Sequence, residues 1–212
     1  MTCVGRLAFP IFAFMIAEGC YYTSNVKKYM LRLFLFAIIS EIPFNLIMGS
    51  SVFYPFHQNV LWTFLLGVLS IQIIEKAKKK QKKWISFFVV CLVLLMDFLL
   101  GTITMVDYNA AGILTVLLFY FFRKKTWISF AAQLVGMYYL NVAMLGNLYY
   151  PVTILGHHFE IAQQSFALLA LIPIWLYHGE QGYHSKWFKY FCYAFYPVHL
   201  LILVVIWQWR IR

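Results

Sequence analysis

The chain has 212 residues, of which 63% are hydrophobic, 20% aromatic and only 11% charged. A water-soluble domain carries about a quarter of its residues as charges, so this composition excludes an ordinary soluble fold and points to a membrane. Apolar runs long enough to cross a bilayer, about 20 residues each, recur so often that no room remains for a separate catalytic domain of about 50 residues. The formal net charge of +10 would suggest nucleic acid only if the cations formed one patch, and membrane proteins concentrate Lys and Arg on one side for another reason.

In chain order, hydrophobic runs against charge and turn signals predict helices at about 7–22, 30–48, 59–75, 84–100, 109–122, 127–145, 161–177 and 190–209. The expected fold class is all-α: a polytopic membrane helix bundle of about eight transmembrane helices, forming one domain over residues 1–212. Runs such as Ile85 to Leu100 do not alternate as transmembrane strands would. The first run carries Glu18 and lacks a basic leader and a cleavage site, so it is expected to stay in the mature protein. Cys3, Cys20, Cys91 and Cys192 are scattered without ligand spacing and read as small apolar residues.

The basic residues set the expected topology. Lys27, Lys28 and Arg32, the run from Lys76 to Lys83, Arg123 to Lys125, and Lys186 with Lys189 all fall on one side, against Arg6, Arg210 and Arg212 on the other. The positive-inside rule then puts both termini outside a bacterial inner or cytoplasmic membrane. The lysine run reads as a solvated loop against membrane lipids rather than a nucleic-acid patch. The outward loops 49–58, 101–108 and 146–160 contain no Lys or Arg, yet hold His57, Asp107, Tyr108, Tyr149, Tyr150, His157, His158 and Glu160. His157, His158 and Glu160 offer metal-ligand chemistry, but neighbours on a helix diverge by about 100° and no fourth ligand is evident, so no metal is expected.

Ionisable groups inside spans cost about 2.5–3.5 kcal/mol at a helix centre, which makes each a functional candidate. Glu18 lies in the inner part of the first helix, Glu41 near the middle of the second, Asp97 towards the outer end of the fourth and His199 near the middle of the eighth. Arg6 stands at the outer mouth. Counted from their inner ends at about 1.5 Å per residue, Glu41 and His199 reach the same depth and could meet. A carboxylate beside an imidazole is the pairing a general base needs, and Asn45 lies one turn from Glu41 on the same face. The blander alternative has Glu41 bonded to backbone freed by Pro43 and His199 to carbonyls near Pro197.

The stretch from Val4 to Gly19, with Tyr22-Thr23, Tyr29, Arg32-Leu33, Ser40 to Asn45 and Gln58 to Thr63, resembles the TraX family. Asp107-Tyr108, Gly112 and Phe195 to Leu200 follow in the family's order, so the resemblance runs nearly end to end. It implies a polytopic inner-membrane protein whose founding members acetylate the N-terminus of conjugative pilin, similar to the wider integral-membrane acyltransferases. Acetyl-CoA is then the expected donor, and an amine or hydroxyl, such as a pilin N-terminus, the acceptor. Arg6, Glu18, Glu41, Asn45, Asn59, Asp107 and His199 occupy motif positions, and Lys27, Lys28 and Arg32 are the expected hold on the CoA phosphates. Family members usually begin with one further helix carrying an Asp-His pair. Met1 stands just ahead of Gly5-Arg6, so the chain reads as a fragment, a mis-assigned start or a shortened member; the leaning is to a TraX-type acetyltransferase, inactive in this form if the upstream helix supplies the base. The alternatives are a proton- or ion-coupled transporter, with Glu18, Glu41 and His199 as the relay, and a structural membrane subunit.

Overall fold

A computed structural model describes residues 2–145, 148–154, 157–180 and 185–211. Among them are eight α-helices: α1 (Thr2–Tyr22), α2 (Val26–Gly49), α3 (Val60–Lys80), α4 (Lys83–Ile103), α5 (Asn109–Phe121), α6 (Trp127–Met137), α7 (Leu171–Leu176) and α8 (Lys186–Ile211). The fold is an all-α bundle, and α2, α3, α4 and the Tyr190–Trp209 part of α8 are long and apolar enough to cross a membrane. The outer faces are greasy: Phe87, Phe88, Leu95 and Phe98 of α4 and Phe191, Ile202 and Val205 of α8 are exposed. Contiguous apolar surface of this kind needs lipid around it.

The core follows helical spacing. Phe9, Ala13, Ala17 and Cys20 line one face of α1 and meet Phe64, Val68 and Ile71 of α3, Val116 and Phe119 of α5, and Ala167, Ala170, Leu171 and Ile174. Small residues bring the helices close, as packing in lipid requires. A methyl added at Gly67 would stand 2.9 Å from Val116, and one at Gly101 would stand 2.5 Å from the Ala110 backbone. The helix α8 packs against α2.

Helix starts follow local capping chemistry. Asn25 accepts from the Lys28 N–H ahead of α2, Asn59 from Leu61 N–H ahead of α3, and Thr126 from Ser129 N–H ahead of α6. The C-terminal ends of α1, α3, α5 and α7 meet at one end, which holds Lys78, Arg123 and Lys125: Arg123 reaches Glu18, Lys78 lies over Tyr120 and Lys125 reaches Trp175. Lys125 ties the loops after α5 and α7 together by donating to the Trp175 carbonyl at 2.9 Å and to the Tyr177 carbonyl. The loops after α2 and α4 lie at the other, neutral end.

Three expected elements differ in the structure. The loop expected at 146–160 contains an antiparallel hairpin, β1 (Tyr149–Ile154) and β2 (His157–Ala162), with Tyr149 opposite Ala162 and Ile154 opposite His157. Aromatic and β-branched residues such as Tyr149, Tyr150, Val152, Thr153 and Phe159 favour extended backbone there. The helix expected at 161–177 begins inside β2, continues as a 3-10 helix through Gln163–Ala170 and becomes α-helical only as α7. Pro173 supplies no N–H to close an α-turn on Leu169, which leaves the tighter helix before it. The sixth helix is α-helical only to Met137 and then widens into a π-turn over Tyr138–Ala143, with Met144 N–H bonding to Tyr139 O at 3.0 Å.

Candidate functional site at the neutral end of the bundle

Glu41 sits eight residues before the end of α2, about 12 Å along the helix from the neutral end. Asn59 donates to its Oε2 and also to the Ala37 carbonyl at 2.9 Å, while Trp62 Nε1 donates to the same Oε2 at 2.9 Å. The other oxygen, Oε1, is buried without a partner among the described residues, as is Oδ1 of Asn45 one turn along. Asn45 spends its amide on the Val52 carbonyl at 3.1 Å. Two buried acceptor oxygens on one helix face therefore wait for a donor.

The two loops at this end are clasped. Gln58 N–H bonds to Met105 O and Asp107 N–H bonds to Gln58 O, both at 3.0 Å, and Thr63 Oγ1 donates to Asp107 O at 2.7 Å. The clasp sets His57 Nε2 at 3.5 Å from Asp107 Oδ1, with the imidazole stacked on Phe44. The hydrogen bond to Asp107 holds His57 above the ordinary histidine value despite partial burial, and the Asp107 and Glu41 charges push it the same way. Tyr108, in the left-handed conformation ahead of α5, stacks on Phe9 at 3.8 Å and lies within electrostatic reach of Arg6. Tyr196 of α8 lies close to the Val60 backbone and within electrostatic reach of Glu41 and Asp107. Four helices, α1, α2, α3 and α8, and the two loops ahead of α3 and α5 thus contribute to one polar cluster.

Of the residues singled out from sequence, Arg6, Glu41, Asn45, Asn59 and Asp107 meet here. His199 is nearby on α8 but turned to its own helix: its Nδ1 lies 3.1 Å from Phe195 O, and its ring stacks on Phe195. The expected Glu41–His199 hydrogen bond is not among those of the described residues. Equal depth does not fix rotation about the helix axis, and Tyr196, not His199, faces α3. The pairing of His57 with Asp107 was not expected; both residues stood in the lysine-free loops, which was the signal available.

Glu18 is at the other end, where Arg123 Nε donates to its Oε1 at 3.0 Å. It borders a cavity of about 840 Å³ between α1, α2 and α7, walled by Ile11, Phe14, Ile174, Tyr29 and Arg32. Lys27 and Lys28 are exposed on the first turn of α2 and do not line that cavity, so of the expected phosphate-binding trio only Arg32 does. Asp97 is buried between α3 and α4, where Ser70 donates to it at 2.6 Å.

The family described as TraX protein matches residues 1–207. Over 213 aligned residues the chain is 25% identical to "Probable fimbrial assembly protein FimC, serogroup H1" of Dichelobacter nodosus, covering 94% of this chain and 80% of that protein. No solved structure matches.

Proposed function

This chain belongs to the TraX family, and on that premise we propose that it serves pilus or fimbrial assembly by membrane-embedded acetyl transfer. The donor is acetyl-CoA and the acceptor an amine or hydroxyl such as a pilin N-terminus. The name of the fimbrial assembly relative supports the first half of this reading. The observation that carries the second is Glu41, fixed on one oxygen by Asn59 and Trp62 and buried on the other without a partner among the described residues. That oxygen, with Asn45 Oδ1 beside it, suits the N–H groups of an acceptor amine.

In this reading the amine attacks the thioester carbonyl, a C–N bond forms, the C–S bond breaks, and the amine's proton passes through an imidazole to the departing thiolate. Among the described side chains, two imidazoles stand at this end. His199 is the sequence's candidate, with Glu41 as its orienting carboxylate. His57 has in its favour the Asp107 contact and its electrostatic contact with Glu41. Arg6 stands beside Tyr108 at the mouth, and Arg32, with Lys27 and Lys28 on the same helix, receives the CoA phosphates at the lysine-rich end. Glu18 borders the cavity there. Both termini then lie outside a bacterial inner membrane, as the lysine distribution suggests.

A second reading, a structural assembly subunit without transfer, is favoured by the packed apolar layer of Phe9, Ala13, Phe64 and Phe119 between the two ends. Purified protein in lipid nanodiscs, given labelled acetyl-CoA and the host's pilin N-terminal peptide, separates the two. Transfer reduced about 100-fold in Glu41→Gln, the scale of a lost acid–base group, at unchanged melting temperature supports the first. A wild-type protein that sustains pilus assembly in cells but labels no peptide supports the second.

A further inference from the structure

A second cavity, about 580 Å³, opens at the lysine-rich end between α3, α5 and the start of α6. Lys78, Lys79, Arg123 and Lys124 line it against one carboxylate, Glu75. Lys78 is shared between Glu75, at 3.5 Å, and the face of Tyr120 at 5.2 Å from its centroid; Glu75 also accepts from the Tyr120 hydroxyl. Lys79 and Lys124 have no ion-pair partner among the described residues. The rest of the wall mixes hydroxyls, Thr23 and Ser129, with apolar Val26 and Ile71.

Arg123 is the hinge between this chamber and the larger one. Among the described residues it meets Glu18 through Nε, and its guanidinium lies over the Tyr21 ring at 3.4 Å. Further N–H donors of the guanidinium fork are left for a ligand, and a fork of that shape matches a phosphate. Its side chain is 24% exposed and that of Glu18 13%, so the pair is partly shielded from salt, unlike the lysines of the loop beyond.

We propose that this chamber binds the phosphate of a phosphate ester, through Arg123, Lys79 and Lys124, and that the bound phosphate competes with Glu18 for Arg123. Occupancy of the small chamber then frees a carboxylate in the wall of the large one. The ester is either an anionic phospholipid headgroup of the adjoining leaflet or a soluble phosphate compound; both present the same tetrahedral dianion or monoanion to the fork. The site stands whether or not the chain transfers acetyl groups, because it is built from residues outside the neutral-end cluster.

The test uses the full chain in nanodiscs of phosphatidylcholine with and without phosphatidylglycerol, and in detergent with glycerol 3-phosphate as the soluble probe. Phosphatidylglycerol retained through purification identifies the lipid source, and displacement by glycerol 3-phosphate the soluble one. With either probe, Lys79→Gln/Lys124→Gln is expected to weaken binding about 10-fold or more, the scale of one charge-assisted hydrogen bond. Lys82→Gln/Lys83→Gln removes the same charge outside the chamber and is expected to leave binding within about twofold, since screened surface charges contribute little. Glu18→Gln is expected to tighten binding, because it releases Arg123, and Arg123→Lys to weaken it at unchanged melting temperature. Equal losses in the two double-lysine variants, or no tightening in Glu18→Gln, would overturn the proposal. So would failure of both probes to bind the wild type.

Discussion

The two ends of the bundle handle polar groups in opposite ways. At the neutral end, loops and helices satisfy one another: the Gln58 backbone donates to Met105 and accepts from Asp107, Asn59 and Trp62 converge on Glu41, and Arg6 stands beside Tyr108. At the lysine-rich end, space is left open: two cavities flank the Glu18–Arg123 pair, and cations outnumber carboxylates around the smaller one. A closed polar cluster fixes geometry, which suits recognition of a particular group. An open cationic one admits diffusing anions, which suits entry and exchange. The difference grows from sequence, because loops without Lys or Arg carry side chains that bond each other, whereas lysine-rich loops repel themselves into solvent.

If the neutral end is the rigid one, added bulk there should cost most. A methyl at Gly112 would stand 2.6 Å from Thr63 and 3.2 Å from the Asp107 carbonyl, inside the clasp, and backbone cannot give way. Gly112→Val should therefore destabilise by about 1–3 kcal/mol or more, read as a lower melting temperature in detergent. At the open end, a methyl at Gly19 would meet the Tyr29 hydroxyl at 3.0 Å, beside the large cavity. The contact is with the far end of a side chain rather than with backbone, and helical alanine is favoured over glycine. Gly19→Ala should be neutral or stabilising. Equal losses at both positions would abolish the contrast.

The next effect in size concerns Glu41. Glu41→Ala leaves the Asn59 and Trp62 donors without their shared acceptor, at a cost of about 1–3 kcal/mol. Glu41→Gln keeps an oxygen for them and should recover most of it. A melting series of the three proteins reads this directly. If Glu41→Ala melts with the wild type, the cluster is not holding α2 to α3 and the site loses its framework.

Much of this arrangement was legible from residue types. The bundle follows from apolar runs, and the two unlike ends follow from where lysines stop. Glu41 stood out because a carboxylate in a span is costly. Its partners did not, since helix depth is one coordinate and a contact needs two. Asn59 reaches Glu41 because it caps α3, and its backbone is placed beside α2 by the ten-residue loop of residues 50–59. The Glu18–Arg123 pair joins residues 105 apart in sequence, and only the packing of α1 on α5 brings them together. The hairpin was missed because residues 149–162 have too few alternating positions, and too many aromatics, to be told from an interfacial loop.

The smallest predicted effect tests whether the clasp at the neutral end is electrostatic as well as backbone-made. His57 is raised chiefly by its hydrogen bond to Asp107, so the folded protein binds the proton more tightly than the unfolded chain does. Stabilisation from the pair is then fully present below the ordinary histidine value of about 6.5 and disappears as pH rises through the raised value in the folded protein. The side chains are 36% and 30% exposed, and solvent screening holds the gain to about 0.2–1 kcal/mol. Melting temperatures of wild type and His57→Gln, followed across pH, should differ in favour of wild type on the acid side and converge above the folded value. Asp107→Asn should remove the same acid-side difference while keeping the Asp107 backbone bonds to Gln58 and Thr63. Curves that stay parallel at every pH would mean that the clasp rests on its backbone bonds alone. His57 would then be left without the orienting carboxylate that a base at this end requires.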